Sequence, residues 1–153
     1  MKVCIGGTFD ILHKGHKKLI NKAFETAKED GFVFIGLTTK KVTMGKKFVK
    51  PIKERQKNLQ NYLSEKWFNN RYLIKPINDK YGPSINGDFD AIIVSPETYE
   101  TAVEINLIRV ENKKKPLKII KIPFVLAKDG KLISSTRIYK GEIDKNGNTL
   151  KDD

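Results

Sequence analysis

The sequence predicts an α/β domain, a doubly wound sheet of five parallel strands flanked by helices. Three observations lead there. Short apolar runs of strand length alternate with helical patterns along most of the chain. The first run, Val3-Cys4-Ile5, passes through Gly6-Gly7 into a turn and then a helical pattern, the strand–turn–helix order of a parallel sheet. A later run, Ala91-Ile92-Ile93-Val94, is wholly apolar, as a central strand covered on both faces should be.

Lys2–Gly7 reads as the first strand. Gly15–Glu29 follows as a helix, with Leu19, Ile20, Ala23, Phe24 and Ala27 on one face at helical spacing. Phe32–Leu37 is a second strand, and Ile52–Trp67 a second helix with Leu59, Tyr62 and Leu63 inward. Tyr72–Ile77 and Ala91–Val94 are the third and fourth strands. A helix over 97–111 is expected to bury the stripe Val103, Leu107 and Val110. Lys118–Pro123 is the fifth strand, and residues 133–138 open a short last helix. Asp144–Asp153 is polar and expected to fray, which sets a domain over 1–144 and a C-terminal tail over 145–153. No repeat or low-complexity linker interrupts this Rossmann-like arrangement.

At 153 residues, the chain is long enough for one domain that buries roughly 70% of its unfolded surface. Met1-Lys2 leads straight into a strand without the apolar region of a signal peptide, and no apolar segment approaches bilayer length, so a cytoplasmic protein is expected. One cysteine, Cys4, excludes an internal disulfide, and its place in the first strand suits a buried, inert thiol. The formal charge of +12 favours anionic partners. Only four of the 30 basic residues are arginine, namely Arg55, Arg71, Arg109 and Arg137. Arginine is the usual reader of nucleic acid, so a solvated lysine surface is the better reading, with neither nucleic acid nor membrane as partner. A monomer is favoured, although nothing in the sequence sets the oligomeric state.

The segment Gly6-Gly7-Thr8-Phe9-Asp10-Ile11-Leu12-His13-Lys14-Gly15-His16 carries most of the chemistry. A helix N-terminus presents unpaired N–H groups and partial positive charge, a ready anion site. His13 and His16, three apart, fall on one face of that first turn, and two imidazoles aimed at an anion suggest phosphate chemistry. A zinc site built on the pair would lack a third ligand, because the chain has no other histidine and no cysteine besides Cys4. Asp10 suits either a base or a brace for the loop. In open parallel sheets, ligands collect beyond the carboxyl ends of the strands. Four segments meet on that rim: the Thr8–His16 turn, the lysine-rich Thr38–Lys50 loop, the Asn78–Gly87 loop and the Ser134–Arg137 helix start. Ser134-Ser135-Thr136-Arg137 offers capping hydroxyls and a cation, either an ordinary cap or a second phosphate grip.

Gly7-Thr8-Phe9-Asp10 with His13-Lys14-Gly15-His16, together with Ile133-Ser134-Ser135-Thr136-Arg137-Ile138, resembles the HxGH nucleotidyltransferase superfamily. Asp79-Lys80-Tyr81-Gly82-Pro83, Val94-Ser95-Pro96-Glu97-Thr98-Tyr99 and the stretch 105–112 resemble the archaeal and eukaryotic type of phosphopantetheine adenylyltransferase. The similarity runs to about Asp144. The bacterial branch carries an Arg-Gly-Leu-Arg segment after the fourth strand, where this chain has Ser95-Pro96-Glu97-Thr98.

The resemblance implies transfer of the adenylyl group of ATP to 4′-phosphopantetheine, giving dephospho-coenzyme A and pyrophosphate without a covalent intermediate. It implies His16 at the transition state, with Thr8 and His13 as its catalytic partners. Gly7, Thr8, Phe9, His13, His16, Ser134, Ser135, Thr136 and Arg137 would bind ATP, and Arg109 would stand in for the missing bacterial arginines. Thr8, Asp10, Lys40 and Lys46 would hold phosphopantetheine. Magnesium would arrive with the nucleotide rather than on a protein-built site, since no carboxylate cluster offers one. A sister enzyme, such as an archaeal-type FAD synthetase or a cytidylyltransferase, remains an alternative, as does a non-catalytic nucleotide- or RNA-binding module.

Overall fold

A computed structural model of the protein describes residues 1–44, 49–68 and 71–150. Five strands, β1 (Lys2–Gly7), β2 (Phe32–Thr38), β3 (Tyr72–Ile77), β4 (Ala91–Val94) and β5 (Lys118–Lys121), form one sheet in the order β3-β2-β1-β4-β5. Every pairing is parallel, with Val3 opposite both Val33 of β2 and Ala91 of β4. The expected bounds of β1, β3 and β4 hold to the residue, and β5 ends two residues early. Among the described residues, five α-helices connect or follow the strands: α1 (Lys14–Ala27), α2 (Lys40–Thr43), α3 (Ile52–Glu65), α4 (Tyr99–Glu111) and α5 (Ser135–Tyr139).

Alternation along the strands explains why helices cover both faces. Val3 and Ile5 of β1, Val33 and Ile35 of β2, and Ile93 of β4 point to one side, where they pack on Ile20, Ala23 and Phe24 of α1 and Leu59 and Leu63 of α3. Cys4, Ile92 and Val94 point to the other side, onto Ala102 and Ile105 of α4. All four residues of β4 are buried, as its apolar sequence demands. Chain direction reverses from leftward to rightward addition beside β1, so its carboxyl end, between β2 and β4, is the switch point where a crevice opens.

Two expectations are corrected. The stripe Val103, Leu107 and Val110 does not face the core: Leu107 is 63% and Val110 57% exposed, while Ala102, Ile105 and Arg109 are buried. Periodicity misled because polar side chains occupy the inner face and make specific bonds there. The Asn106 side chain pairs with both backbone groups of Leu117, at 2.9 and 2.7 Å.

The described part of the tail, 144–150, is not frayed. Ile143 is fully buried with Ala127 and Ile133 in a small separate core, and Asp144 Oδ1 accepts the Asn146 and Asn148 amides, both at 2.9 Å. The Lys145 carbonyl accepts the Lys14 amide at 2.9 Å, tying the tail to the first turn of α1. Among the described residues, no helix is long and apolar enough to cross a membrane.

Candidate active site

A cavity of about 490 Å³ opens at the carboxyl ends of the strands, a volume in the range of a small-molecule site. It brings together Gly7, Thr8, Phe9, Asp10, His13 and His16 from the first turn with Ser134, Ser135 and Thr136 from the start of α5. These segments lie over a hundred residues apart in sequence. Thr38, at the end of β2, and Lys80, on the loop that follows β3, line it as well.

The geometry of the first turn differs from a bare helix start. His13 is the N-cap of α1, and its Nδ1 accepts the backbone N–H of Gly15 at 3.0 Å and of His16 at 3.3 Å. The Lys14 amide is used by Lys145 and that of Lys17 by the His13 carbonyl, at 3.1 Å. The first-turn amides of α1 are therefore spent within the protein. The helix contributes its dipole and its imidazoles to the cavity rather than open N–H groups.

An imidazole that accepts at Nδ1 carries its proton on Nε2 when neutral. Burial keeps His13 neutral, pulling its pKa from 6.5 to about 4. His13 is thus a neutral Nε2–H donor. Its ring stacks on that of His16 with centroids 3.7 Å apart. The His16 Nδ1 lies 2.9 Å from the Ile11 carbonyl and 3.4 Å from the His13 amide. One nitrogen cannot donate to the first and accept from the second. The carbonyl can only accept and is closer, so Nδ1 carries a proton and donates to Ile11, with Nε2 as the second ring nitrogen.

Gly15 makes the stack possible: a Cβ there would stand 2.9 Å from Cε1 of His13. Phe9 is 1% exposed, with φ at +47°, and its ring meets that of His16 at 5.2 Å. That left-handed backbone is uncommon for a bulky residue and makes the sharp bend between Thr8 and Asp10.

Asp10, 5% exposed, behaves as a brace. Its Oδ1 accepts the Lys50 amide at 2.8 Å. Burial, together with a hydrogen bond to the Asp10 carboxyl, pushes the Tyr139 phenol up to about 12. Beside it, Arg55 is 2% exposed and donates to the carbonyls of Lys50, at 2.8 Å, and Thr8, at 2.9 Å. The first turn, the end of the β2 loop, α3 and α5 are held together around this one carboxylate. The sequence reading missed Arg55 and Tyr139, because neither lies in a motif and only the fold brings them to Asp10. The Thr8 hydroxyl accepts from that of Thr38 at 2.9 Å.

Several expected cations are elsewhere. Arg109 is buried and does not line the cavity: Nε donates to the Lys115 carbonyl, and Nη1 to the carbonyls of Ser84, Ile85 and Gly87. It holds the β3–β4 loop against α4, which corrects its expected role toward ATP. Arg137 also lies off the cavity, engaged with both carboxylate oxygens of Asp129, with Glu142 at 2.9 Å and with the Leu132 carbonyl at 2.9 Å. Its charge is neutralised within the C-terminal segment.

Lys40 is exposed and not among the lining residues, because residues 40–43 coil into one helical turn that sends Val42 inward instead. Lys46 lies outside the described residues. Among the described residues, Lys80 is the lysine that lines the cavity. Its Nζ sits 2.9 Å from Glu104 of α4, and this contact raises its pKa. No cluster of three or more His, Cys, Asp or Glu side chains able to hold a metal occurs among the described residues.

A parallel sheet with a switch-point cavity, lined by a histidine turn from β1 and hydroxyls from a last short helix, defines a nucleotidyltransferase type of site. A cytidylyltransferase-like pattern matches residues 4–141. Phosphopantetheine adenylyltransferase of Methanosarcina barkeri is 50% identical over 151 residues, covering 98% of this chain and 93% of that protein. Its counterpart in Archaeoglobus fulgidus is 41% identical, covering 98% and 100%. A solved structure from Archaeoglobus fulgidus, described as a protein with unknown function, superposes with a TM-score of 0.72 at 39% identity, over 80% of this chain and 89% of that one. A putative nicotinate-nucleotide adenylyltransferase from Vibrio parahaemolyticus, 13% identical with a TM-score of 0.54 over 95% and 82% of the two chains, shares the fold alone. The chain belongs to the cytidylyltransferase-like family and, within it, to the archaeal phosphopantetheine adenylyltransferases.

Proposed function

We propose that this protein transfers the adenylyl group of ATP to 4′-phosphopantetheine, releasing pyrophosphate and dephospho-coenzyme A in the cytoplasm. The observation that carries the reading is the cavity that joins the His13–His16 turn to Ser134–Thr136, in a chain half identical to an archaeal enzyme of that name. An oxygen of the acceptor phosphate attacks the α-phosphorus of ATP. A new P–O bond forms there as the bond to the β-phosphate bridge breaks in line, and pyrophosphate leaves with its electron pair.

The nucleophile is already an anion, so alignment and charge neutralisation suffice without a general base. In this reading, His16 acts as the imidazolium, with Nδ1–H on the Ile11 carbonyl and Nε2–H toward the α-phosphoryl oxygens on which charge grows, and His13 donates its Nε2–H to the ATP phosphates. Thr8 hydrogen-bonds the phosphates being joined, and Ser135 and Thr136 receive the β- and γ-phosphates. Asp10 positions the turn through its contacts with Lys50 and Tyr139. Magnesium enters bound to ATP, coordinated by phosphates and water.

The test incubates the full chain with ATP, magnesium and one acceptor at a time (phosphopantetheine, FMN or none), with CTP as alternative donor, and measures pyrophosphate and product mass. Pyrophosphate and dephospho-coenzyme A with phosphopantetheine alone are the expected result. Turnover only with FMN, or only with CTP, would replace this reading with that of a sister enzyme.

A further inference from the structure

We propose that Lys80 binds the phosphate of the acceptor substrate, exchanging its ion pair with Glu104 for that phosphate. This rests on the adenylyl-transfer reading above. A site that joins two phosphorylated substrates must offer countercharge, and dispersed surface lysines cannot supply it at the reacting atoms. Among the described residues lining the cavity, Lys80 is the sole lysine or arginine. The other expected cations are bound elsewhere, Arg109 to loop carbonyls and Arg137 to Asp129 and Glu142.

Lys80 is placed and held in a way that suits exchange. It lies on the segment leaving β3, at the opposite edge of the sheet from β5, after which come the hydroxyls of Ser134, Ser135 and Thr136. A triphosphate that reaches toward those hydroxyls leaves the β2–β3 side, lined by Thr38, Val42, Ile77 and Lys80, for the second substrate. Asp79 Oδ1 fixes the loop by accepting the amides of Tyr81, at 2.9 Å, and Gly82, at 2.7 Å.

The Lys80–Glu104 pair is about half exposed on both sides, at 54% and 44%, so water screens it and breaking it costs little. Glu104 keeps a partner when the lysine turns away, because the Tyr81 hydroxyl donates to its Oε2 at 2.7 Å. A dianionic phosphate is the stronger partner for the freed ammonium.

The test compares wild type with Lys80→Met and Lys80→Arg in the full chain. Steady-state kinetics with each substrate varied is paired with calorimetric titration of phosphopantetheine and of pantetheine, which lacks the phosphate. Lys80→Met is expected to raise the KM for phosphopantetheine roughly 10- to 100-fold, the range of one charge-assisted contact, with the KM for ATP nearly unchanged. Wild type should prefer phosphopantetheine to pantetheine, Lys80→Met should lose that preference, and Lys80→Arg should restore part of it. An unchanged KM for phosphopantetheine, a rise in the KM for ATP instead, or a preference that survives in Lys80→Met would overturn the assignment. Absence of pyrophosphate release by wild type would instead overturn the adenylyl-transfer reading itself.

Discussion

The Nδ1 of His13 accepts the amide of His16 at 3.3 Å while the two imidazoles stack 3.7 Å apart. One histidine therefore does two jobs: it caps the helix that carries its partner, and it holds the partner's ring in place. Capping requires a lone pair on Nδ1, so His13 must be neutral, which frees its Nε2–H for a ligand.

Replacing His16 with alanine should lower kcat by about 100-fold or more, the cost of a lost transition-state donor. The KM for ATP should change much less, because the contact is assigned to the transition state. His13→Ala should lose the cap as well, at about 1 kcal/mol of stability. His13→Asn should recover that stability, since asparagine caps well, while kcat stays low. Near-normal turnover in His16→Ala would end the assignment, and urea denaturation beside steady-state kinetics separates the two effects in His13.

Neutral His13 also makes stability depend on pH. Its folded pKa of about 4 lies below the ordinary 6.5, so between those values the unfolded chain binds a proton that the folded one refuses. Its stabilising contribution is complete above pH 6.5, is lost as pH falls toward 4, and levels off below. The total loss is roughly 3 kcal/mol from the separation of the two values. Urea titrations across pH 4–7 should show this loss in wild type and a smaller one in His13→Asn. Parallel curves for the two proteins would contradict the neutral cap.

Arg109 should behave as a structural residue. Arg109→Met removes the donor from the carbonyls of Ser84 and Lys115, at a cost of roughly 3 kcal/mol. The melting temperature should fall by several degrees, while the KM for ATP in the protein that remains folded stays close to wild type. Arg109→Lys should recover only part of the stability, because one ammonium cannot reproduce the spread of a guanidinium. A large rise in the KM for ATP without loss of melting temperature would return Arg109 to the nucleotide site.

Cys4 should be inert in the native state. Burial pushes its thiol up to about 12, and its Sγ sits 3.7 Å from the Ala91 carbonyl in the central sheet. Maleimide labelling at pH 7 should be negligible in native buffer and complete in denaturant. Labelling at the rate of a free thiol in native buffer would show that β1 opens readily from β4.

The sequence by itself determined the sheet and the two motif segments. Alternating apolar runs in β1, β2 and β4 specify strands covered on both faces, and a glycine turn between β1 and α1 specifies where the histidines stand. These are local patterns, and local patterns are legible in one dimension. Which cations reach the site was decided by tertiary structure alone. Arg109, Arg137 and Lys40 are no less plausible as phosphate ligands in the sequence than Lys80. They are removed by loop carbonyls, by Asp129 and Glu142, and by one helical turn, none of which a sequence pattern records. The same holds for the inner face of α4, where Asn106 and Arg109 replace the expected Leu107 and Val110, because a buried polar group is stable wherever the fold supplies its partners. The neutral state of His13 depends likewise on the burial that the assembled first turn and C-terminal segment create.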